Sequence, residues 1–336
     1  MNKKKVLHLL SSNKFSGAEN VACTIIDNMK EKYEMVYCSP DGEIKETLND
    51  RNIRYIPITT LNIKQIGKVV KKFKPDIIHA HDFKATFYAT FFAGNSEIIS
   101  HIHKNDPKMK KLSLKSILYL INLIKIKKVI GVSESILNEY IFSYAMKNKY
   151  LTIYNFVDSV KIKKLADEIS INENYDILYL GRMSEEKNPL EFIEIIKRLS
   201  IENLNCVMIG DGPLLDSCKE MVNKYDLQNK IKILGYKSNP FPHIKKAKMA
   251  IMPSRYEGFG LTAIEMMVLK KPVLNSGAGG LNEIFEKYPE YICKDRMMYI
   301  AKTEKILNDF KELDFDLNKF TNKYMWKSKM LKVYEE

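Results

Sequence analysis

The amino-acid sequence predicts an α/β protein built from two doubly wound domains. Three observations support this prediction. The chain has 336 residues, which suits two domains of ordinary size better than one. Short apolar runs alternate with helical stretches along its whole length, a pattern typical of βαβ units and parallel sheets. A polar and charged segment, residues 155–174, divides the alternation into two series.

The first series predicts a domain over residues 1–158. The chain begins with the basic segment Met1–Lys5, but the apolar run behind it is too short for a signal peptide and no small-residue cleavage site follows. We therefore expect a cytoplasmic protein whose first strand starts here. The predicted strands are Val6–Leu10, Met35–Cys38, Arg54–Ile58, Asp76–Ala80, Ile98–Ile102, Val129–Val132 and Thr152–Tyr154.

The second series predicts a domain over residues 159–319, followed by an amphipathic helix over residues 320–336 that could dock on either domain. Ligand sites of doubly wound domains lie at strand carboxyl ends, so two such domains can face one cleft. The predicted strands are Ile177–Leu180, Cys206–Ile209, Lys232–Leu234, Met249–Met252, Pro272–Asn275 and Tyr291–Cys293.

Composition excludes several classes of function. Apolar residues make up 45%, so the chain is not disordered. The five cysteines are scattered without C-x-x-C spacing, which argues against a thiolate zinc cluster and a disulfide framework. Residues 1–158 hold 25 Lys and Arg against 15 Asp and Glu, so the first domain carries most of the net charge of +13. This imbalance favours an acidic partner.

The densest basic stretch, Lys108–Lys128, has seven lysines, no acidic residue and many leucines and isoleucines. A helix of this composition fits an anionic membrane surface. It fits equally well a helix packed in the core with solvated lysines at its ends. Nucleic acid is not expected as a partner, because the lysines are not interleaved with aromatic residues and no recognition motif is present.

Cations and glycines follow two strands of the second domain. Gly181, Arg182 and Lys187 come after Ile177–Leu180, just before a helix, where a diphosphate can be held. They could equally be a turn glycine and two surface cations. Gly210 follows the next strand and either lets a ligand approach the backbone or serves a tight turn.

The segment after Met249–Met252 is the most informative. Glu257 and Glu265 stand on either side of a loop that leads into a helix, and this loop consists of Gly258, Phe259, Gly260 and Leu261. The two carboxylates can accept hydrogen bonds from sugar hydroxyls, while the N–H groups between them bind an anion. The alternative is a charged loop and a solvated helix residue.

These motifs resemble those of retaining glycosyltransferases of family 4, which have the two-domain GT-B fold, and the resemblance covers nearly the whole chain. The matching motifs are Gly181–Lys187, Gly210–Pro213, Pro253–Glu265 and Gly279–Glu283. The resemblance implies that Arg182 and Lys187 hold the donor diphosphate and that Gly181, Gly210 and the Gly258–Leu261 loop line the donor site. It implies that Glu265 binds the ribose hydroxyls and that Glu257 contacts the donor sugar.

In the first domain, Pro75–Asp82 resembles the family's strand end. The resemblance implies that His81 faces the donor sugar and that His103, after the next strand, binds the acceptor. Gly17, the single glycine of the first βα turn, is a candidate donor contact or only a turn glycine. One glycine there does not make the G-x-G-x-x-G motif of a dinucleotide site. Phe156 departs from the family, which usually has glycine at this position.

The sequence thus predicts a retaining glycosyltransferase that moves a sugar from a UDP-linked donor to a saccharide acceptor. The basic first domain favours a lipid-linked acceptor at the inner face of the plasma membrane, in capsule, exopolysaccharide or lipopolysaccharide synthesis. No metal or other cofactor is expected, because the resemblance implies catalysis by preorganised cations and N–H groups. The alternatives are a non-catalytic partner subunit of a protein glycosyltransferase and a nucleotide-sugar epimerase.

Overall fold

The computed structural model describes residues 3–336, and the chain forms two compact units. The first unit combines residues up to Phe156 with the last segment, Asn322–Glu336. The second unit is Val157–Thr321. Met1 and Asn2, which the sequence prediction includes in the first domain, lie outside the described residues.

The first unit contains a seven-stranded parallel sheet with the order β3-β2-β1-β4-β5-β6-β7. The chain starts in the centre of the sheet, adds strands on one side, and then crosses to the other side. This reversal is the switch point at which doubly wound sheets bind ligands. Its strands are β1 Lys5–Leu9, β2 Glu34–Pro40, β3 Tyr55–Ile58, β4 Ile77–Ala80, β5 Glu97–Ile102, β6 Lys128–Gly131 and β7 Tyr150–Thr152.

The second unit contains a five-stranded parallel sheet with the order β10-β9-β8-β11-β12. Strands β9 and β10 lie on one side of β8, and β11 and β12 lie on the other. This sheet therefore has a switch point beside β8, as the first sheet has beside β1. The strands are β8 Tyr175–Leu180, β9 Cys206–Ile209, β10 Ile231–Gly235, β11 Ala247–Met252 and β12 Val273–Asn275. The predicted α/β class with two parallel sheets is confirmed.

Helices connect the strands in both units. The helices are α1 Gly17–Met29, α2 Ile44–Asp50, α3 Ile63–Phe73, α4 Phe83–Ala89, α5 Leu114–Asn122, α6 Glu134–Asn138, α7 Ser143–Met146, α8 Ser159–Asp167, α9 Pro189–Arg198, α10 Leu215–Lys224, α11 Phe241–Lys246, α12 Leu261–Val268, α13 Leu281–Ile284, α14 Arg296–Asn308, α15 Asn318–Thr321 and α16 Lys323–Glu335. No helix of the described chain is both long and apolar enough to cross a membrane.

The predicted strand Tyr291–Cys293 is wrong. A 3₁₀ turn occupies Pro289–Tyr291, and the residues behind it make a single bridge between Ile292 and Asn275 at the end of β12. The Cys293 amide donates to the Asn275 carbonyl at 2.7 Å, and the Asn275 side-chain amide donates to the Tyr291 carbonyl at 3.3 Å. Its apolar side chains are used for packing, and that produced the strand-like pattern.

The lysine-rich segment Lys108–Lys128 forms a much shorter helix than its composition suggests. Helix α5 begins after Ser113, whose hydroxyl accepts a hydrogen bond from the Ser116 amide at 3.1 Å, and ends nine residues later. Its inner face is Ser116 and Tyr119, which are buried. Leu123 and Ile126 are buried as well, but six other apolar side chains face outward and are exposed by 37–81%: Leu112, Leu114, Ile117, Leu118, Ile121 and Ile124. The interpretation as a helix packed in the core therefore holds for the face of Ser116, Tyr119 and the adjoining Leu123, and not for the six exposed residues.

Helix α16 belongs to the core of the first unit, although it is the last segment of the chain. Trp326, Met330, Val333 and Tyr334 are buried in the cluster that also contains residues of β1, β4 and α1. The Trp326 ring lies 5.6 Å from the Phe156 ring, centroid to centroid. Burial of four large side chains makes this helix a structural part of the unit.

We predict that Met330→Ala lowers the free energy of unfolding of the first unit by about 2–5 kcal/mol, because it leaves a cavity under α16. Urea unfolding followed by the fluorescence of Trp326, the single tryptophan, measures this. Tyr324→Ala on the same helix is the control: that ring is 86% exposed and its loss should cost less than about 0.5 kcal/mol. Equal effects of the two variants would contradict the packing of α16.

Candidate functional site

The turns after β8 and β9 of the second unit approach each other through their backbones. Gly210 has a φ of +145°, and a Cβ atom added there would lie 1.9 Å from the Gly181 carbonyl oxygen. Any side chain at Gly210 would therefore push the two turns apart. At Gly181 an added Cβ would meet its nearest neighbour at 3.7 Å, an ordinary contact. Gly210 thus serves the close packing of the turns.

A partly buried ion pair joins the β8 turn to the β11 loop. Lys187 Nζ lies 2.5 Å from Glu257 Oε1, and the Ser254 hydroxyl donates to the same oxygen at 3.1 Å. The Glu257 side chain is only 6% exposed and that of Lys187 is 29% exposed. The structure brings these two predicted site residues together, whereas Ser254 was not identified from the sequence. Burial makes the pair costly to break, so it fixes both side chains.

Asn188 supports the same junction, but not in the way its sequence context suggests. It stands at the expected N-cap position of α9, before Pro189, yet its side chain makes no capping hydrogen bond. Its φ is +52°, in the left-handed region, and its amide donates to the Pro253 carbonyl at 3.3 Å. The side chain therefore ties the turn to the β11 loop instead of closing the helix.

Arg182 differs from Lys187 because its charged group is free to bind a ligand. Its side chain is exposed, and its guanidinium has no hydrogen-bond or ion-pair partner among residues 3–336. The residue is held through its backbone, since its carbonyl accepts a hydrogen bond from the Tyr179 hydroxyl at 3.1 Å. A fixed backbone with an unpaired guanidinium is suited to bind an anion such as a phosphate.

The Gly258–Leu261 loop leads into α12 without a capping side chain. Gly260, at the N-cap position, has a φ of +104°, and an added Cβ would lie 2.7 Å from Leu281 Cδ2. The Gly280 amide donates to the Glu257 carbonyl at 3.3 Å, which packs the two glycine-rich turns together. The Phe259 side chain is buried, and this anchors the loop. The first N–H groups of α12 therefore have no side-chain acceptor, as an anion site requires.

Glu265 lies within α12, in a partly buried position. Burial raises the pKa of its carboxyl group to about 7, and no described residue is hydrogen-bonded to the group. A carboxylate in such a place gains most from ligands that donate hydrogen bonds, such as hydroxyl groups. Around neutral pH this group is therefore balanced between its charged and neutral forms.

In the first unit, His81 and His103 are part of a larger cluster. They follow β4 and β5, while His8, His79 and His101 lie within β1, β4 and β5. Strand register places His8 beside His79, and the period of two puts all five rings on the face covered by α1 and α16. Sequence reasoning missed the three strand residues, although the repeated H-x-H pattern in two predicted strands was a signal.

Burial keeps this cluster uncharged. Burial lowers the pKa of His8 and of His103 to about 3. Burial, and then the neighbouring imidazoles, lowers the pKa of His79, His81 and His101 well below its usual range. All five are neutral imidazoles at pH 7. Two groups of three place one nitrogen from each ring within 4.8 Å of the others, close enough to hold a metal ion: His8, His79 and His81, and His81, His101 and His103.

Gly17 is the first residue of α1 and is exposed. A Cβ atom added there would meet no atom within 4 Å, so the backbone does not need glycine for packing. The preceding Ser16 does not cap the helix, because its hydroxyl donates to the Glu19 carboxylate instead. The structure places Gly17 at the start of a helix at the carboxyl side of β1, and nothing in it gives Gly17 a partner.

Comparison with family models divides the chain into two consecutive matches. Residues 15–161 match the model described as Glycosyltransferase Family 4. Residues 161–322 match the model described as Glycosyl transferases group 1. Together the two matches account for nearly all of the described chain, and their border falls next to the border between the two compact units.

Several known proteins are similar to this chain. An uncharacterized glycosyltransferase of Methanocaldococcus jannaschii is 29% identical over 85% of this chain and 82% of the relative. The UDP-Gal:α-D-GlcNAc-diphosphoundecaprenol α-1,3-galactosyltransferase of Escherichia coli is 25% identical over 83% of this chain and 81% of the relative. The crystal structure of Anabaena HepE with UDP and glucose has a TM-score of 0.85 and 18% identity over 99% of both chains, which shows a common fold.

We predict that the first unit loses stability in acid. Its five imidazoles have lowered pKa values when folded and about 6.5 when unfolded, so their stabilising effect is complete above pH 6.5 and is lost as the pH falls. Each imidazole contributes about 1.4 kcal/mol per pH unit. Burial raises the pKa of Glu19, which opposes this trend through a single group.

Urea unfolding at pH 8.0, 7.0, 6.0 and 5.5, followed by Trp326 fluorescence, tests the acid lability. The free energy of unfolding should fall by more than about 1.4 kcal/mol per pH unit below pH 6.5, because several protons are taken up together. The variant His101→Gln should show a shallower slope, by about one proton. A free energy that does not change between pH 7 and 5.5 would contradict the neutral cluster.

Proposed function

Because this chain belongs to glycosyltransferase family 4, we propose that it transfers a sugar from a UDP-linked donor to a saccharide acceptor with retention of the anomeric configuration. One observation carries the proposal. The exposed, unpaired guanidinium of Arg182 and the uncapped N-terminus of α12 both lie at strand carboxyl ends of the second unit, as a diphosphate site requires. The names of the relatives support a transferase.

The chemistry that suits these groups is stabilisation of a departing nucleoside diphosphate. Cleavage of the sugar–phosphate bond leaves negative charge on the diphosphate and positive charge on the sugar ring. Arg182 and the N–H groups of α12 stabilise the first charge. Glu257, which its ion pair with Lys187 holds in place, stabilises the positive charge on the sugar ring. Glu265 accepts hydrogen bonds from the ribose hydroxyls. In this proposal the protein's own cations and amides stabilise the departing diphosphate, and no metal or cofactor takes part.

For the acceptor we propose a lipid-linked saccharide of cell-surface polysaccharide synthesis. By its name the E. coli relative acts on a diphosphoundecaprenol acceptor, and a Staphylococcus aureus relative belongs to capsular polysaccharide biosynthesis. The outward apolar face of α5 supports a membrane-bound acceptor. Beside it, Lys108, Lys111 and Lys125 have no ion-pair partner among the described residues, whereas Lys110 and Lys127 are paired with Glu139 and Glu97. Free lysines beside exposed apolar side chains fit an anionic membrane surface.

The donor site predicts a pH-dependent affinity for UDP-glucose. The charged form of Glu265 is the better acceptor for ribose hydroxyls, so the affinity should rise as the pH increases through about 7, the pKa of this carboxyl group. Isothermal titration calorimetry between pH 6.0 and 8.5 measures this. UDP-glucose is suitable because its diphosphate does not titrate in this range. The variant Glu265→Gln should bind more weakly at high pH and lose the pH dependence.

The same donor site predicts the kinetic effect of removing its cation. Arg182→Gln should lower kcat for slow hydrolysis of UDP-glucose by about 10²-fold, because charge on the leaving diphosphate goes uncompensated. Arg198→Gln, at an exposed arginine of α9, is the matched control and should change nothing. NMR of the first-formed glucose should show the α-anomer. Hydrolysis that survives Arg182→Gln, or a β-anomer as first product, would refute the corresponding part of the proposal.

The membrane proposal predicts binding to vesicles of phosphatidylglycerol and phosphatidylcholine in equal amounts, and weak binding to pure phosphatidylcholine. Charge reversal at Lys108, Lys111 and Lys125 should abolish binding to the anionic vesicles in a flotation assay. The matched control reverses three exposed lysines of α8: Lys161, Lys163 and Lys164. If both triple variants bind as the unchanged protein does, α5 is not a membrane contact.

A further inference from the structure

A cavity opens beside the carboxyl end of β5 in the first unit. Its wall comes from the turn after β5 and from the helices α4, α5, α6 and α7. It offers about 20 Å³ to the centre of a water-sized group, and with its open mouth it comprises about 290 Å³. About 10–15 Å³ of such space is enough to hold one water molecule. The cavity also lies at the carboxyl edge of the parallel sheet, where doubly wound domains bind their ligands.

The buried part of the wall is mostly apolar. It includes Ile102, Met109, Tyr119, Ile136, Tyr140 and Met146. The two tyrosines contribute only their rings, because their hydroxyl groups are engaged with residues outside the wall. The Tyr119 hydroxyl oxygen lies 3.0 Å from Ser100 Oγ, and the Tyr140 hydroxyl donates to the Ser116 carbonyl at 2.8 Å. This part of the wall therefore suits a small apolar group.

The carboxylates of the wall are already paired. Asp106 forms an ion pair with Lys115, and Glu139 Oε2 lies 2.9 Å from Lys110 Nζ. Lys104 and Lys110 are exposed and mark the mouth of the cavity. Neither carboxylate therefore lacks a counter-charge that a ligand would have to supply.

Asn105 is different, because one side of its amide group has no partner. Its Nδ2 donates to the Glu139 carboxylate and, at 3.2 Å, to Ser135 Oγ. An ionised carboxylate only accepts hydrogen bonds, so the nitrogen must face Glu139 and the oxygen is the atom left over. Asn105 is 9% exposed, and its Oδ1 is buried without a hydrogen-bond partner among residues 3–336. A buried acceptor without a donor is costly, so this oxygen suits a ligand that donates a hydrogen bond.

The turn that carries Asn105 is held on both sides. The Met109 amide donates to the Asp106 carbonyl at 2.8 Å, and the Ile141 amide donates to the Met109 carbonyl at 3.0 Å. The ion pair of Asp106 with Lys115 joins the same turn to α5. The cavity is thus already formed in the absence of a ligand, which lowers the cost of binding.

A ligand group that fits this cavity combines a hydrogen-bond donor with a small apolar part. Among common substituents of saccharides, a hydroxyl group has no apolar part, and the methyl group of a 6-deoxy sugar has no donor. The acetamido group of an N-acetylated sugar has both, an N–H and a methyl group. In its planar trans amide the two lie on the same side of the C–N bond, so one wall can contact both.

The cavity lies between the ligand edge of the sheet and α5. Tyr119, which lines the cavity, is on the inner face of this helix, and the exposed apolar side chains are on its outer face. An α-helix with its side chains is only about 10–12 Å wide. A lipid carrier against the outer face of α5 therefore keeps the first sugars of its saccharide near the cavity.

We propose that this cavity binds the acetamido group of an N-acetylated sugar in the acceptor, with the methyl group among the apolar side chains and the N–H donating to Asn105 Oδ1. This inference rests on the transferase function and the lipid-linked acceptor proposed above, and it names the class of acceptor sugar. It adds Asn105 to the acceptor site, for which the sequence motifs implied only His103.

NMR of the full chain, labelled with ¹³C at the methionine methyl groups, observes the cavity directly. Met109 and Met146 line it, and single Met→Leu variants assign their signals among the 16 methionines of the chain. N-acetylglucosamine and N-acetylgalactosamine are the ligands, and glucose and galactose are the controls that lack the acetamido group. We expect the two cavity signals to shift with the acetamido sugars and not with the controls.

Three variants assign the effect to the cavity. Asn105→Leu removes the acceptor and should weaken binding of the acetamido sugars by about tenfold or more. Ile136→Phe fills the cavity, leaves Asn105 in place and should abolish the shifts. Asn138→Leu, at an exposed asparagine of α6, is the matched control and should bind as the unchanged protein does. The other methionine signals show whether each variant is folded.

The same discrimination is expected in sugar transfer. The acceptors are N-acetylglucosaminyl and glucosyl undecyl diphosphate, and the donor is the UDP-sugar that the protein hydrolyses. The acetamido acceptor should have the higher kcat/KM, by about tenfold or more. Asn105→Leu should bring this ratio close to one, whereas Asn138→Leu should leave it unchanged.

The outcomes separate this inference from the function on which it rests. If the acetamido sugars and the controls act alike on the cavity methionines, or if neither has an effect, the cavity holds only water and the inference is wrong. Equal binding by Asn105→Leu and Asn138→Leu would overturn it as well. If the acetamido sugars bind in the cavity but the protein transfers no sugar, the cavity is an acetamido site and it is the proposed transferase function that fails.

Discussion

Parallel strand pairing is the constraint from which the placement of every candidate site residue follows. All pairings in both sheets are parallel, so the carboxyl ends of the strands in each sheet lie along one edge. Arg182, Glu257, His81 and His103 each follow such an end closely. Within each unit, residues distant in the sequence thus come together along one edge of the sheet, and direct contacts such as the Lys187–Glu257 ion pair and the His81–His103 hydrogen bond fix their orientation.

The two units treat charge in opposite ways. The second unit keeps a paired cation, Lys187, beside an unpaired one, Arg182, so that part of its positive charge is already neutralised and part is available. The first unit carries the larger net positive charge, yet the side chains at its strand ends are neutral imidazoles. Neutral imidazoles can donate and accept hydrogen bonds without adding to the positive charge of that unit.

The sequence was sufficient for what depends on local pattern. Alternating apolar runs located twelve real strands, and residue types at strand ends located Arg182, Lys187 and Glu257. The sequence was not sufficient where contacts between distant segments determine which side chains come together. The Lys187–Glu257 pair joins residues seventy positions apart, and the histidine cluster depends on strand register. The segment Lys108–Lys128 shows the same limit, because composition shows that apolar residues are present but not which way they face.

Because α16 covers the histidine cluster, the first unit depends on the last described helix. The Tyr334 hydroxyl lies 2.6 Å from His79 Nδ1, within hydrogen-bond distance, and Trp326, Met330 and Val333 fill the core beside it. A growing chain therefore completes the second unit, Val157–Thr321, before the first unit has its full core. Until α16 is added, the buried histidines have only part of their apolar cover, that of α1, and burial disfavours their charged forms less strongly. The neutral state of the histidine cluster thus depends on a helix that follows the whole second unit in the sequence.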